Sequence, residues 1–203
     1  MRKTFVAVVG EDKTEFTLYT NVASRSSKFF QAALGKVWQE SLQNRVTLKD
    51  VKAIEFETYL QWLSTNDHSF LADSDLHELA GLYILGDFLD DLAFRVEMLN
   101  WFTSRAINEN ICPHPLTLTL IWEQTPDTSP LRKMSIEAWI TRYIECLARE
   151  FAKTDRDIPR EFIVGCLRRI GETQARVREC IVGEARRKFL EARRDEVLNE
   201  LDA

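Results

Sequence analysis

Alternating hydrophobic and polar positions divide the start of the chain into short segments. Phe5–Val9 is an apolar, β-branched run that is typical of a buried strand. A polar, turn-like stretch over residues 10–14 separates it from Glu15–Tyr19. In this second run Phe16 and Leu18 alternate with more polar positions, so both side chains fall on one face of a strand. The first twenty or so residues are therefore predicted to form a β-hairpin.

A helix and a third strand are predicted next. Ser24, Ser26 and Ser27 are residue types that open helices, and apolar residues follow them at helical spacing. Those apolar residues are Phe29, Phe30, Ala33, Leu34 and Val37. Phe30 is predicted to lie in the core. A polar break then leads to a second alternating run, Arg45–Leu48, and strand, helix and strand in this order favour a compact α+β unit.

Helical spacing dominates the chain after the third strand. One helix is predicted over residues 50–64, and another follows a cap in Asp73–Asp75 and breaks at residues 86–87. The next helix is predicted to begin at Asp90 or Asp91. Its apolar stripe is expected to comprise Leu92, Val96, Leu99 and Phe102.

Two prolines, Pro113 and Pro115, predict a boundary, because a continuous helix cannot pass through them. After them, residues 116–122 are predicted to form a short helix or an extended arm. Ser129 is predicted to cap a long helix that has Pro130 at its first position. Two more helices are expected further on, and Gly171 is expected to end the first of them. The chain is therefore predicted to hold an α+β domain over residues 1–108 and an all-helical extension over residues 109–203.

Several segments resemble, in the same order, the BTB/POZ domain family. They are Phe16–Leu18, Ser24–Phe30, Trp38–Ser41, Arg45–Val51, Phe56–Leu63 and Glu78–Asp87. The segment Glu123–Arg132 is similar to the tail of BTB proteins from filamentous fungi. The resemblance implies the BTB/POZ fold, a small sheet flanked by helices. It also implies a protein–protein interaction module that is not an enzyme and needs no cofactor.

The resemblance singles out Trp38 and Glu40 as candidate residues of a protein interface. BTB adaptors of cullin-RING ubiquitin ligases often carry a three-residue pattern after the helix that lies between the second and third strands. The pattern is a hydrophobic residue, then any residue, then Glu. The hydrophobic residue is an anchor that fills a groove on the cullin. The Glu two residues later forms an ion pair or a cap beside this groove. The alternative is that Trp38 packs over the end of the helix and Glu40 is solvated.

Two functions remain open at this point. The first is a substrate adaptor of a cullin-RING ubiquitin ligase. The second is a self-associating scaffold, or a transcription-associated BTB protein, with no ligase role. In many family members a leader before the first strand builds a strand-swapped homodimer, and the short stretch Met1–Thr4 argues against that homodimer here.

Composition and charge limit the classes of molecule that the protein is expected to bind. The net charge of −5 argues against nucleic acid, because phosphate contacts need concentrated Lys and Arg. No run approaches the roughly 20 apolar residues of a membrane span, so no membrane partner is predicted. The three histidines, His68, His77 and His114, lack the spacing of metal ligands, so no metal is predicted. No glycine-rich phosphate loop or Gly-x-Ser-x-Gly elbow is present, and no catalytic residues are proposed.

The cysteines indicate the compartment. They are Cys112, Cys146, Cys166 and Cys180, and none forms a C-x-x-C pair. Without a secretory signal, this pattern is typical of reduced thiols. The protein is therefore expected in the cytoplasm or the nucleus.

Overall fold

The computed structural model describes residues 3–35, 44–65, 67–143 and 158–174. The chain divides into two compact units, Met1–Pro159 and Arg160–Ala203. The first unit is mixed α+β, with a small three-stranded sheet and several helices, as the sequence pattern predicts. The described part of the second unit is a helix over residues 160–174.

The sheet has the order β2-β1-β3. Its strands are β1 (Thr4–Val9), β2 (Thr14–Tyr19) and β3 (Arg45–Leu48). β1 and β2 pair antiparallel, which confirms the predicted hairpin, and Gly10 allows the turn after β1 with a φ of 74°. β3 pairs in parallel with β1, with Val46 opposite Ala7. A parallel pair needs a crossover connection, and the chain between β2 and β3 supplies it.

Two helices, not one, lie in that connection. They are α1 (Thr20–Ser26) and α2 (Lys28–Ala33), so the prediction that helix begins at the serines missed α1. Ser27 separates the two helices and caps α2, because its Oγ accepts a hydrogen bond from the Phe30 backbone N at 3.1 Å. The same hydroxyl donates to the Leu89 carbonyl at 2.6 Å, which fixes the junction to a distant part of the chain.

The remaining elements of the first unit are helical. They are α3 (Ala53–Ser64), a 3-10 helix (Ser69–Leu71), α4 (Leu76–Phe88), α5 (Leu92–Asn108), α6 (Pro115–Gln124) and α7 (Pro130–Tyr143). The predicted caps are confirmed. Asp75 forms a capping box with Glu78 at the start of α4, Asp91 caps α5, and the Ser129 Oγ accepts from the Leu131 backbone N at 3.3 Å.

The two predicted glycine breaks are wrong. α4 continues through Gly86 to Phe88, where a Cβ on the glycine would lie 3.0 Å from the Phe94 ring and 3.2 Å from the Arg95 backbone N. Gly86 therefore lets α4 and α5 approach closely instead of ending a helix. The helix over residues 160–174 likewise passes through Gly171.

The core joins the sheet to the helices. Phe30 is fully buried, which confirms the prediction, and its ring lies 5.3 Å from Phe5 and 6.3 Å from Phe56 between centroids. Ile121 of α6 and Leu131 of α7 belong to the same buried cluster. The compact unit thus runs past residue 108, and the division of the chain into 1–108 and 109–203 stays a prediction.

The buried face of α5 differs from the predicted stripe. The buried side chains are Phe94, Met98, Phe102 and Ala106. Only Phe102 belongs to both sets, whereas Leu92 and Val96 are exposed. This correction places two large aliphatic side chains on the surface.

Candidate interaction surface

Trp38 and Glu40, the predicted interface residues, fall in residues 36–43, outside the described part of the chain. The described residues on either side are held in place. α2 ends at Ala33, and the Asn44 carbonyl accepts a hydrogen bond from the Val6 backbone N at 2.9 Å. The C-terminal flank of the predicted site is therefore fixed to β1.

The first two turns of α5 present an apolar ridge. Leu92 is 59% exposed and Val96 is 47% exposed, and a spacing of four residues places them on the same helix face. We name this pair the α5 ridge. Phe88, at the end of α4, is also about half exposed, and its ring lies 5.4 Å from that of Phe29. Exposed apolar side chains that share one face, as Leu92 and Val96 do, make that face a candidate interaction surface.

A groove of about 710 Å³ lies on one side of the α5 ridge. It is bounded by the α1–α2 junction, the end of α3 and the start of α5. Besides the ridge, its lining includes Arg25, Lys28, Trp62, Leu63, His68 and Asp90, and we name it the basic groove. The Lys28 Nζ lies 3.5 Å from Asp90 Oδ2, with both side chains more than half exposed.

Aromatic rings form one wall of the basic groove. The Trp62 and His68 rings lie 5.8 Å apart between centroids, and His68 Nδ1 lies 3.3 Å from Glu97 Oε1. The same carboxylate oxygen accepts from Trp101 Nε1 at 3.1 Å. By contrast, Trp62 Nε1 is buried and has no acceptor among the described residues. A buried donor without an acceptor is uncommon and costs free energy.

A smaller cleft of about 210 Å³ lies on the other side of the α5 ridge. The α4–α5 pair and the turn before α7 enclose it, and Pro126 and Pro130 give it an apolar wall. Asp87 and Arg95 also line the cleft and form an ion pair. The α5 ridge therefore separates two concavities, each with apolar and charged parts.

A buried polar network fixes the start of the ridge. Asp91 is 1% exposed, and its Oδ1 accepts from the Phe94 backbone N at 3.1 Å. Its Oδ2 accepts from the Tyr59 hydroxyl at 2.9 Å and from the Ser26 hydroxyl. Burial first, and then the charge of Asp91, raises the pKa of Tyr59 well above its usual value. The tyrosine therefore stays protonated and keeps donating to the carboxylate.

Backbone hydrogen bonds extend this junction. The Lys28 N donates to the Asp90 carbonyl and the Phe29 N donates to the Leu89 carbonyl, both at 3.3 Å. The start of α2 is thus joined to the turn between α4 and α5. Both walls of the basic groove are held by this junction, so its shape is built into the fold.

No protein-family model matches the chain, and a comparison with curated proteins finds no significant match. The BTB/POZ resemblance therefore stays a prediction. Over the described ranges, no cluster of three His, Cys, Asp or Glu residues is arranged to hold a metal ion. None of the helices in those same ranges has the length and apolar character needed to cross a membrane.

Sequence reasoning missed the α5 ridge because it assigned Leu92 and Val96 to the core. The signal was present as a second stripe, Phe94 and Met98, with the same four-residue spacing. A helix with two apolar stripes has more apolar surface than one packed face covers. One stripe is then left for solvent or for a partner.

Proposed function

We propose that the protein is a non-enzymatic protein–protein interaction adaptor built on a BTB/POZ domain. The observation that best supports this proposal is the α5 ridge, which stands exposed between two concavities. An apolar centre with charged residues around it is the usual anatomy of a protein interface. The ridge and the concavities on either side of it provide a surface on which side chains of a partner protein can dock.

The order of the elements also supports the BTB/POZ part of the proposal. A hairpin, a helix pair and a third strand precede a series of helices, which agrees with the small sheet flanked by helices that the resemblance implies. The proposal includes an intracellular location, either the cytoplasm or the nucleus, because the cysteine pattern is typical of reduced thiols.

The first form of this function is a substrate adaptor of a cullin-RING ubiquitin ligase, with Trp38 and Glu40 as the contact. A pulldown with a cullin N-terminal region tests it. We expect the double variant Trp38→Ala, Glu40→Ala to bind at least about tenfold more weakly, because an interface anchor carries about 2 kcal/mol or more.

The matched control for that pulldown is the double variant Leu116→Ala, Glu123→Ala. It removes an apolar side chain and an acid from exposed positions on α6, so it should bind like the wild type. Unchanged cullin binding by the Trp38, Glu40 variant, or no binding by the wild type, would rule out the ligase role.

The second form is a self-associating scaffold, which includes a transcription-associated role without a ligase. The exposed apolar side chains of the α5 ridge favour it, because a second copy could cover them. Light scattering over a range of concentrations tests it, and Leu92→Lys with Val96→Lys should shift the protein toward monomer. A strict monomer at high concentration would exclude this form.

A further inference from the structure

We infer that the basic groove binds an acidic, amphipathic segment of a partner protein. This inference rests on the proposed function, in which the α5 ridge is an interaction surface. It adds the chemistry of the occupant: apolar side chains against Leu92 and Val96, and carboxylates toward the opposite rim.

The charges of the groove point to an acidic occupant. Two cationic side chains, Arg25 and Lys28, line it, against the one carboxylate of Asp90. Lys28 lies near Asp90, whereas Arg25 is exposed and has no ion pair among the described residues. The chain as a whole carries a net charge of −5, whereas the lining of this groove carries two cations and one carboxylate. Complementary charge of this kind speeds association and selects the partner.

The apolar part of the groove points to an amphipathic occupant. Leu63 and the α5 ridge lie in the lining, and the ridge is too exposed to be explained by packing within the first unit. A volume of about 710 Å³ lies within the usual range of ligand sites and accommodates several side chains. Helical segments bind such grooves through apolar residues at i and i+4, which is the spacing of Leu92 and Val96 themselves.

A protein segment fits these features better than nucleic acid does. Binding to a phosphate backbone depends on many neutralised phosphates and therefore on clustered Lys and Arg. Two cations beside an aliphatic ridge supply little of that charge. The ridge itself would remain uncovered by a polyanion that lacks apolar groups.

Selection of peptides on the full-length chain tests the inference. A library of random sixteen-residue peptides displayed on phage is selected on the immobilised protein, and the enriched peptides are synthesised with a fluorescent label. Fluorescence anisotropy then gives their Kd values. We expect enriched peptides to carry an excess of Asp and Glu and apolar residues at i and i+4.

Charge reversal gives the quantitative readout. Arg25→Glu with Lys28→Glu should raise the Kd of the acidic peptides by about tenfold or more, and added salt should weaken wild-type binding. The matched control is Lys49→Glu with Lys133→Glu, two exposed lysines outside the groove lining, which should change the Kd by less than about twofold. Polyglutamate, which has charge but no apolar groups, should compete poorly.

The outcomes separate this inference from the proposed function. Peptides that lose binding in Leu92→Asp but are indifferent to Arg25→Glu with Lys28→Glu would overturn the acidic occupant and keep the α5 ridge as an interaction surface. Polyglutamate that competes as well as the peptides would overturn the amphipathic occupant. No peptide whose binding depends on Leu92 would overturn both the occupant and the surface.

Discussion

Asp91 performs several tasks with one carboxylate. It caps α5 through the Phe94 backbone N and accepts hydroxyl hydrogen bonds from Tyr59 and Ser26. A buried carboxylate is tolerated where donors satisfy its oxygens, and here they come from α1, α3 and α5. Sequence analysis placed the helix start at Asp90 or Asp91, because a cap is a local feature. Its hydroxyl donors are 32 and 65 residues distant, and no local pattern predicts such pairs.

Tyr59 should make stability depend on alkaline pH. Its folded-state pKa is raised above the ordinary value of 10.0, so its contribution is complete below about pH 10. Above that pH the unfolded chain loses this proton first, and the free energy of unfolding should fall by up to about 1.4 kcal/mol per pH unit on this account. Urea unfolding at a series of pH values measures the slope.

The variant Tyr59→Phe should remove that part of the alkaline slope. It should also lower stability near pH 7 by about 1.5–3 kcal/mol, because a hydrogen bond to a buried charged group is lost. Tyr19→Phe, at a half-exposed position, is the matched control. An identical alkaline slope in wild type and Tyr59→Phe would contradict the role assigned to this network.

At the scale of elements, strongly patterned segments were predictable and short or ambiguous ones were not. The hairpin, β3 and the caps of α4, α5 and α7 follow from alternation and from capping residues. α1 was missed because it is seven residues long and buries only Ala23, so it has no apolar stripe to detect. Its Thr, Asn, Val and Ser residues are also weak helix formers, and tertiary packing overrides that preference.

The wrong predictions for Gly86 and for the α5 stripe share one cause. Periodicity shows that a helix has apolar faces, but it does not show which neighbour covers which face. Gly86 lies at a close approach of α4 to Phe94 and Arg95, and Phe94 and Met98 are on the buried face of α5. The second apolar face of α5 is then left exposed, and this face is the α5 ridge. Trp38 and Glu40, outside the described residues, remain predictions from the resemblance.

Arg132 joins α6 to α7 through a set of buried hydrogen bonds. Its guanidinium donates to Thr125 Oγ1 at 3.1 Å, to the Trp122 carbonyl at 2.7 Å and to the Thr125 carbonyl. It also pairs with Asp127 at 2.5 Å and lies over the Trp122 ring. The planar fork of Arg can reach all of these acceptors, whereas Lys cannot.

We expect Arg132→Met to lower the free energy of unfolding by about 2–4 kcal/mol, because it leaves buried acceptors without a donor. Arg132→Lys should recover less than half of that loss. Asp127→Ala should cost less than about 0.5 kcal/mol, since the Asp127 side chain is 94% exposed. Urea unfolding followed by circular dichroism measures all three, and a loss under about 1 kcal/mol for Arg132→Met would contradict the role of this side chain.

For the whole molecule, the question is whether residues 1–108 stand alone. The buried cluster draws Ile121 and Leu131 from α6 and α7, beyond the predicted boundary. The helices are interrupted where the two prolines predict it: Pro113 lies between α5 and α6, and Pro115 is the first residue of α6. An interruption of secondary structure does not by itself separate two cores.

The fragment 1–108 should therefore be less stable than the fragment 1–159. Removing α6 and α7 deletes three fully buried aliphatic side chains, Leu118, Ile121 and Leu131, each worth about 1.5–3 kcal/mol, and exposes their neighbours. We expect a difference of at least about 3 kcal/mol in urea unfolding. Equal stability of the two fragments would instead support an independent domain over 1–108.

The parallel pairing of β1 with β3 has a consequence for synthesis on the ribosome. The hairpin can form once residue 19 has emerged, but the other edge of β1 has no strand partner until Leu48 follows. During that interval an apolar strand presents unpaired N–H and C=O groups, which invites pairing with a neighbouring nascent chain. Chaperone demand for this protein should therefore arise while residues 20–48 are being synthesised, before any of the helices that build its surface ridge exist.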